Sequence, residues 1–264
     1  MIRTFRLYRL EKLERLSLSQ AEERLRAVRL ATVAAATRPP LSRLLSDLAK
    51  RLTNERLQVV RSLPRRWELS LTGRWPARSL TVSAGPSPVL PVRVSLWLRR
   101  TIPWLIVFEA NRALSEAAAR LVATALAGEP ARVSPIMPDL PHWKALEDWV
   151  ENAPDGSGAV LGGRFYKAAP AGTAVEWIAL RCTLGSNLAL VRESLQTAAG
   201  IGELLIQTPR LKSLQRSLVC RISRVGVVRV YWEEISDEVI DAFLFELEAL
   251  WGFLPQRTEG RGGS

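Results

Sequence analysis

The chain has 264 residues, of which 47% are hydrophobic and 24% charged, and a formal net charge of +11. Apolar and charged content at these levels excludes a disordered or collagen-like chain. Two cysteines exclude a disulfide scaffold, and one histidine excludes a histidine-rich metal site. The length allows one large domain or two small ones with a buried core.

Residues 2–7 read as a short strand, after which Leu7, Leu10, Leu13 and Leu16 recur at helical spacing. Ser19 followed by Glu22 fits a capping box opening a helix that carries Leu25 and Val28. Pro39 and Pro40 break the chain. Leu41, Leu44, Leu45, Leu48 and Leu52 then predict a second amphipathic helix running to Val60, with Pro64 beyond it. From Trp67 the period changes to two: Trp67, Leu69 and Leu71, then Leu80 and Val82, alternate with polar residues. Val92, Val94, Leu96 and Leu98 predict a strand with Arg93, Ser95, Trp97 and Arg99 on its other face. Trp104–Phe108 reads as a buried strand, and Ser115–Ala127 as a helix stopped by Gly128 and Pro130.

Further along, Ala131–Pro135 reads as a short strand and Leu140–Val150 as a helix. Ala159–Lys167 and Thr173–Cys182 read as paired strands, and Ser186 as the cap of a helix through Leu195. A hairpin over about 218–223 and 227–232, a helix Asp237–Trp251 and a frayed tail complete the chain. Cys182 and Cys220 fall in apolar runs, as small buried residues do. The N-terminus has no apolar core of signal-peptide length and no run approaches a bilayer span, so the expectation is a cytoplasmic protein without a transmembrane segment.

A shift of 124 residues aligns 95–128 with 219–252 without a gap. Arg100/Arg224, Glu109/Glu233, Ala118/Ala242, Ala125/Ala249, Leu126/Leu250 and Gly128/Gly252 are identical. Leu96/Cys220, Leu98/Ile222, Ile106/Val230 and Phe108/Trp232 match as inward strand positions.

The charge is unevenly placed. Residues 1–100 carry a net of +14 and residues 101–264 a net of −3. A second basic stretch, Arg210 to Arg229, has six basic residues and no acid between Glu203 and Glu233. This asymmetry points to an anionic partner: nucleic acid, an acidic protein, the phosphates of a cofactor or an anionic membrane surface. Of the 37 basic residues 32 are arginine, a bias that GC-rich coding also produces.

Most catalytic chemistries lack their residues. A Ser-His-Asp or Cys-His site needs an imidazole, and the only one is His142, at a helix start. Leu184-Gly185-Ser186-Asn187 lacks the second glycine of a nucleophile elbow. No Cys-x-x-Cys or His-Glu-x-x-His spacing occurs, so no metal is expected. The glycine-rich run Asp155–Arg164 lacks the Gly-Lys-Ser/Thr ending of a phosphate loop and reads as a hairpin turn. Glu233, Glu234, Asp237, Glu238 and Asp241 could bind a divalent metal, but Ser236 followed by acids in the first turn is equally what capping and the helix dipole favour.

Residues 2–170 read, in order, strand, two helices, three strands, helix, strand, helix, strand. With the opening Ile2-Arg3-Thr4-Phe5-Arg6 and the loop Arg112-Ala113-Leu114-Ser115-Glu116-Ala117, this order resembles the GNAT superfamily of acyl-CoA-dependent N-acyltransferases. In that family an Arg/Gln-x-x-Gly-x-Gly/Ala loop holds the CoA pyrophosphate on backbone amides at a helix N-terminus. Ser115 stands where that loop has its first glycine. The resemblance implies an α/β (α+β) fold with a GNAT-like mixed sheet and flanking helices. It further implies an acyl-CoA cofactor near Arg112, Ser115 and Ala117, and Glu109 as general base for acyl transfer to an amine. Gln196-Thr197-Ala198-Ala199-Gly200-Ile201-Gly202 and Trp251-Gly252-Phe253 are similar to the family's loop and to its end, in the manner of a second, incomplete copy.

The corresponding organisation is a mainly helical part over 1–63 and a sheet with helices over 64–170, together one domain. A smaller α/β lobe follows over 171–255, a candidate partial repeat, with a tail over 256–264. Two non-enzymatic functions compete with the acyltransferase. In one, hairpin faces carrying Arg93, Trp97 and Arg99, or Arg221, Arg229 and Tyr231, present guanidinium and aromatic groups to nucleic acid. In the other, the leucine- and arginine-rich helices over 7–60 dock a partner in a complex.

Overall fold

The computed structural model describes residues 2–11, 17–39, 41–76, 89–99, 102–109, 111–166, 177–181, 193–194, 198, 200–232 and 234–252. The chain divides into two compact units, Phe5–Pro135 and Ile136–Ser264, the latter joined by residues Met1–Thr4. Both are α+β. Every strand pairing described within them is antiparallel, so the expected mixed sheet is replaced by an antiparallel one. Among the described residues no helix is long and apolar enough to cross a membrane.

The first unit begins in β1 (Ile2–Leu10), continues through α1 (Leu18–Ala27), α2 (Leu30–Ala35) and α3 (Leu41–Arg51), and then lays down four strands. These are β2 (Thr53–Ser62), β3 (Arg66–Pro76), β4 (Val89–Arg99) and β5 (Trp104–Phe108). Helix α4 (Arg112–Ala127), a 3-10 turn and β6 (Val133–Pro135) complete it. The strand order is β2-β3-β4-β5-β1, with β6 also on β1.

Three local expectations change here. Strand β1 extends to Leu10, because Phe5 and Leu7 are buried on one face and Tyr8 and Leu10 on the other. A strand covered on both faces shows no clean alternation, and its leucines fall at spacing three by accident. The capping box lies at Ser17 and Gln20 rather than Ser19 and Glu22: the Ser17 hydroxyl accepts from Gln20 N–H, and the Gln20 side chain accepts from Ser17 N–H. Helix α3 stops at Arg51 instead of running to Val60. Strand β2 begins at Thr53, and its second residue, Asn54, takes a left-handed φ of 54°, which asparagine tolerates better than most residues. There Leu57 pairs with Leu71 and Val59 with Leu69, which brings their side chains to the core face. Leu80 and Val82 lie outside the described residues.

The core of this unit lies between the sheet and its helices. Leu25, Leu30, Val33, Leu45 and Leu48 of α1–α3 pack with Leu57, Leu69, Leu71, Val94 and Leu96 of the sheet and with Leu121, Val122 and Leu126 of α4. Helix α4 ends at Gly128, whose φ of 79° is left-handed, the conformation that a C-terminal stop favours and that costs glycine nothing.

The second unit contains α5 (Leu140–Glu151), β7 (Ala159–Tyr166), β8 (Trp177–Arg181), β9 (Gly200–Gln207), β10 (Val219–Ser223), β11 (Val227–Tyr231) and α6 (Asp237–Trp251). Its strand order is β11-β10-β9-β7-β8. The paired strands expected near 159–167 and 173–182 are β7 and β8, and the hairpin and last helix lie where the periodicity places them. Gly200–Gly202, similar in sequence to a phosphate loop, instead begins β9. A Cβ on Gly202 would come within 2.9 Å of the Tyr166 ring, so this glycine makes room for an aromatic side chain. The helix expected from Ser186 lies largely outside the described residues.

The 124-residue shift relates like elements. The end of β4, then β5, α4 and Gly128 correspond to β10, β11, α6 and Gly252. The two hairpins differ by one residue in register: Leu96 faces Val107, whereas Cys220 faces Val230. Val107, not Ile106, is therefore the counterpart of Val230. Gly252 keeps a right-handed φ of −59°, unlike Gly128.

Candidate functional site

Glu109, Arg112, Ser115 and Ala117 all sit at the N-terminus of α4. Asn111 is its N-cap, and its side-chain oxygen accepts from Ala113 N–H (2.9 Å) and Leu114 N–H (3.2 Å). Asn111 N–H itself donates to Glu109 Oε1 at 2.7 Å. The amides that an anion would use are thus occupied by the chain's own side chain. Ser115 and Ala117 are fully buried, and the Ser115 hydroxyl shares a 2.9 Å hydrogen bond with the Tyr8 hydroxyl. Glu116 is paired with Arg120 at 2.9 Å, and Arg120 also donates to the Pro130 carbonyl. Burial and the Glu116 charge push the Tyr8 hydroxyl well above its ordinary range. Arg112 alone of the expected cofactor residues is exposed. The turn is closed rather than open to a pyrophosphate.

The outer face of β2, β3 and β4 is different. Direct cross-strand partners share a face. Arg56 pairs with Thr72 and Thr72 with Arg93, Gln58 with Ser70 and Ser70 with Ser95, Arg61 with Glu68 and Glu68 with Trp97. These rows alternate with the leucine rows of the core, so one face is apolar and the other carries arginines, the Thr72 and Ser95 hydroxyls and one amide, with Ser70 buried among them. Its single carboxylate, Glu68, is taken: Arg66 donates to it from Nε (3.0 Å) and Nη2 (2.7 Å), and both side chains are largely buried. Arg56, Arg61 and Arg93 are held by no carboxylate among the described residues, and all three are exposed.

Two of the three residues expected on this platform are covered where they stand. Trp97 is 3% exposed and Arg99 1%. The Arg66 guanidinium lies 3.9 Å over the Trp97 ring, and Phe108 meets the same indole edge-on at 4.7 Å. Trp97 is therefore a packing residue, and no base can stack on it. Arg93 remains on the surface. Arg56 and Arg61, which a helical reading of 41–60 hid, join it. The signal that could have found them is the alternation Arg56, Leu57, Gln58, Val59, which has period two.

In the second unit Arg221 and Arg229 are direct cross-strand partners. Arg221 is drawn to Glu203 at 3.5 Å, Arg229 is exposed, and Tyr231 is half-buried. Arg224 lies 5.4 Å over the Tyr166 ring, and Arg210 pairs with Asp155 at 3.5 Å. Hydrogen bonds from Ser157 to the Asp155 carboxylate hold it below its usual range, with help from Arg210. The basic stretch Arg210–Arg229 is thus partly neutralised by its own unit. Beside it lies a cavity of about 510 Å³ lined by Ser213, Leu214, Arg216, Leu218, Trp232, Glu234, Ser236 and Val239.

His142 is fully buried. Its Nδ1 bonds the Asp139 carboxylate at the start of α5, its ring meets Trp251 edge-on at 5.5 Å, and its carbonyl accepts from the Trp251 indole N–H at 3.0 Å. That is the environment of a packed side chain. Among the described residues no group of three or more His, Cys, Asp or Glu could hold a metal ion. Compared with known proteins, the chain matches no family model and no curated sequence.

Proposed function

We propose that this protein is a non-catalytic module that binds an extended polyanion, a nucleic-acid strand, across the outer face of β2, β3 and β4. The observation that carries this reading is the arrangement of Arg56, Arg61 and Arg93 on a hydroxyl-lined sheet face whose one carboxylate, Glu68, is already held by Arg66. Arg56 and Arg93 stand two strands apart, about 10 Å at the backbone, a distance their side chains adapt to successive phosphates. With Trp97 buried, the face offers charge and hydroxyl donors but no stacking platform. Contacts of that kind go to the phosphate-sugar backbone and carry no base information.

The acyltransferase reading draws less support. The α4 amides are capped by Asn111, and Ser115 is buried against Tyr8. The docking of a partner by the N-terminal helices also draws little, because Leu25, Leu30, Leu45 and Leu48 are spent on the unit's own core.

The test is fluorescence anisotropy with a labelled single-stranded oligonucleotide over a series of salt concentrations. The wild type should bind with an affinity that falls steeply as salt rises. An Arg56→Glu/Arg61→Glu/Arg93→Glu variant should lose most binding and reduce the log–log salt slope by about 2, since each phosphate contact on a single strand contributes ~0.7. Affinity indifferent to salt, or equal in the variant, would sink the proposal.

A further inference from the structure

The cavity of the second unit has its own chemistry. Three apolar side chains, Leu214, Leu218 and Val239, line it together with the Trp232 indole. Arg216 and Glu234, opposite in charge and both exposed, line the same cavity without pairing with each other, and neither has an ion-pair partner among the described residues. Of the two acids in the first turn of α6, Asp237 is held by Arg3 at 2.6 Å. Arg216 is fixed from behind: its carbonyl accepts from Leu211 N–H at 2.9 Å, and Gln215 before it takes a left-handed φ of 53°. A non-glycine residue held there is paid for by a loop that closes tightly. Thr208 helps close it, accepting from Leu218 N–H on its hydroxyl at 2.9 Å.

A cavity of this size, lined in near-equal parts by apolar side chains and by placed polar and charged groups, has the form of a small-molecule site. A cation and an anion left apart in one cavity ask for a ligand with the reverse pair, and the apolar part of the lining asks for an apolar body between them. We propose that the cavity binds an apolar α-amino-acid zwitterion, free or as a short peptide. Its carboxylate meets Arg216, its ammonium meets Glu234, and its side chain lies against Trp232, Leu214 and Leu218. A carboxylate on a guanidinium fork gives the stronger of the two contacts.

Isothermal titration of the full chain with L-leucine and, separately, with L-leucyl-L-leucine tests this. At least one should bind with a sub-millimolar Kd, and the arm that binds more tightly assigns the free amino acid or the peptide as source. N-acetyl-L-leucinamide, which keeps the side chain and loses both charges, should bind at least tenfold more weakly. Arg216→Ala and Glu234→Gln should each weaken the zwitterion about tenfold, the scale of one charge-assisted hydrogen bond, while Lys212→Ala changes nothing. Both positions are exposed, so the variants should unfold at the wild-type temperature. No heat from either zwitterion at about 10 mM, equal binding of the neutral amide, or unchanged affinity in both variants would overturn the proposal.

Discussion

The hydroxyls of Tyr8 and Ser115 meet at 2.9 Å in the interior of the first unit, tying strand β1 to the first turn of α4. This bond fills the place where a loop glycine would let a phosphate approach, and it does so with two buried polar side chains that satisfy each other. Removing either partner leaves the other unpaired. Tyr8→Phe and Ser115→Ala should each cost about 1–2 kcal/mol in urea unfolding. The double variant should cost less than the two added together, because it removes both polar atoms at once. Additive losses would show that the two groups do not act as a pair.

Arg66 and Glu68 form the corresponding closed pair on the polar sheet face, with Arg66 also stacked on Trp97. Glu68→Gln leaves a largely buried guanidinium with a weaker acceptor, and should lower stability by about 2–3 kcal/mol. The same change removes the only negative charge from the face, so the oligonucleotide affinity of the folded variant should rise. A less stable protein that binds more tightly separates these two effects, and a fall in both would count against the assigned face.

High pH provides a third check. Burial pushes the Cys220 thiol well above its ordinary value of 9.0, and burial plus the Glu116 charge does the same for Tyr8 above 10.0. Both groups are neutral when protonated, and both hold their proton more firmly folded than unfolded. Their contribution is intact below the unfolded values and is lost as pH rises through about 9 and 10 towards the higher folded values. Denaturation midpoints should therefore fall steadily above pH 9. Cys220→Ala should move the onset of that fall about one unit higher, leaving Tyr8 as the first group to titrate. A midpoint flat from pH 8 to 11 would contradict the burial of both groups.

Gly158 marks a tight contact rather than a flexible joint. A Cβ there would lie 2.2 Å from the Val150 carbonyl oxygen near the end of α5, and that backbone cannot swing aside as a side chain could. Gly158→Ala should cost about 2–3 kcal/mol and shift the thermal midpoint down. Gly156→Ala meets no atom within 4 Å, but its φ of 61° is left-handed. It should cost only about 1 kcal/mol. Reversal of that order would refute the packing described at the α5–β7 connection.

Chain order and local periodicity determined much of this protein. Strand β4, helices α4, α5 and α6, the β10–β11 hairpin and the likeness between the halves of the 124-residue shift all follow from alternation, spacing and capping residues. These signals are strong because each element buries one face and leaves the other in water, so the pattern survives without knowledge of its neighbours. Where both faces are buried, as in β1, or where an apolar helix pattern runs into a strand, as at Asn54, sequence spacing misassigned the chain. Only the tertiary structure decided the candidate site. Burial of Trp97, Arg99 and Ser115, capture of Glu68 by Arg66, and capping of α4 by Asn111 depend on partners distant in sequence or on the path of the backbone. Composition announced an excess of arginine in the first hundred residues. Pairing of β2, β3 and β4 determined which of those arginines share a face, and which are already spent on the protein itself.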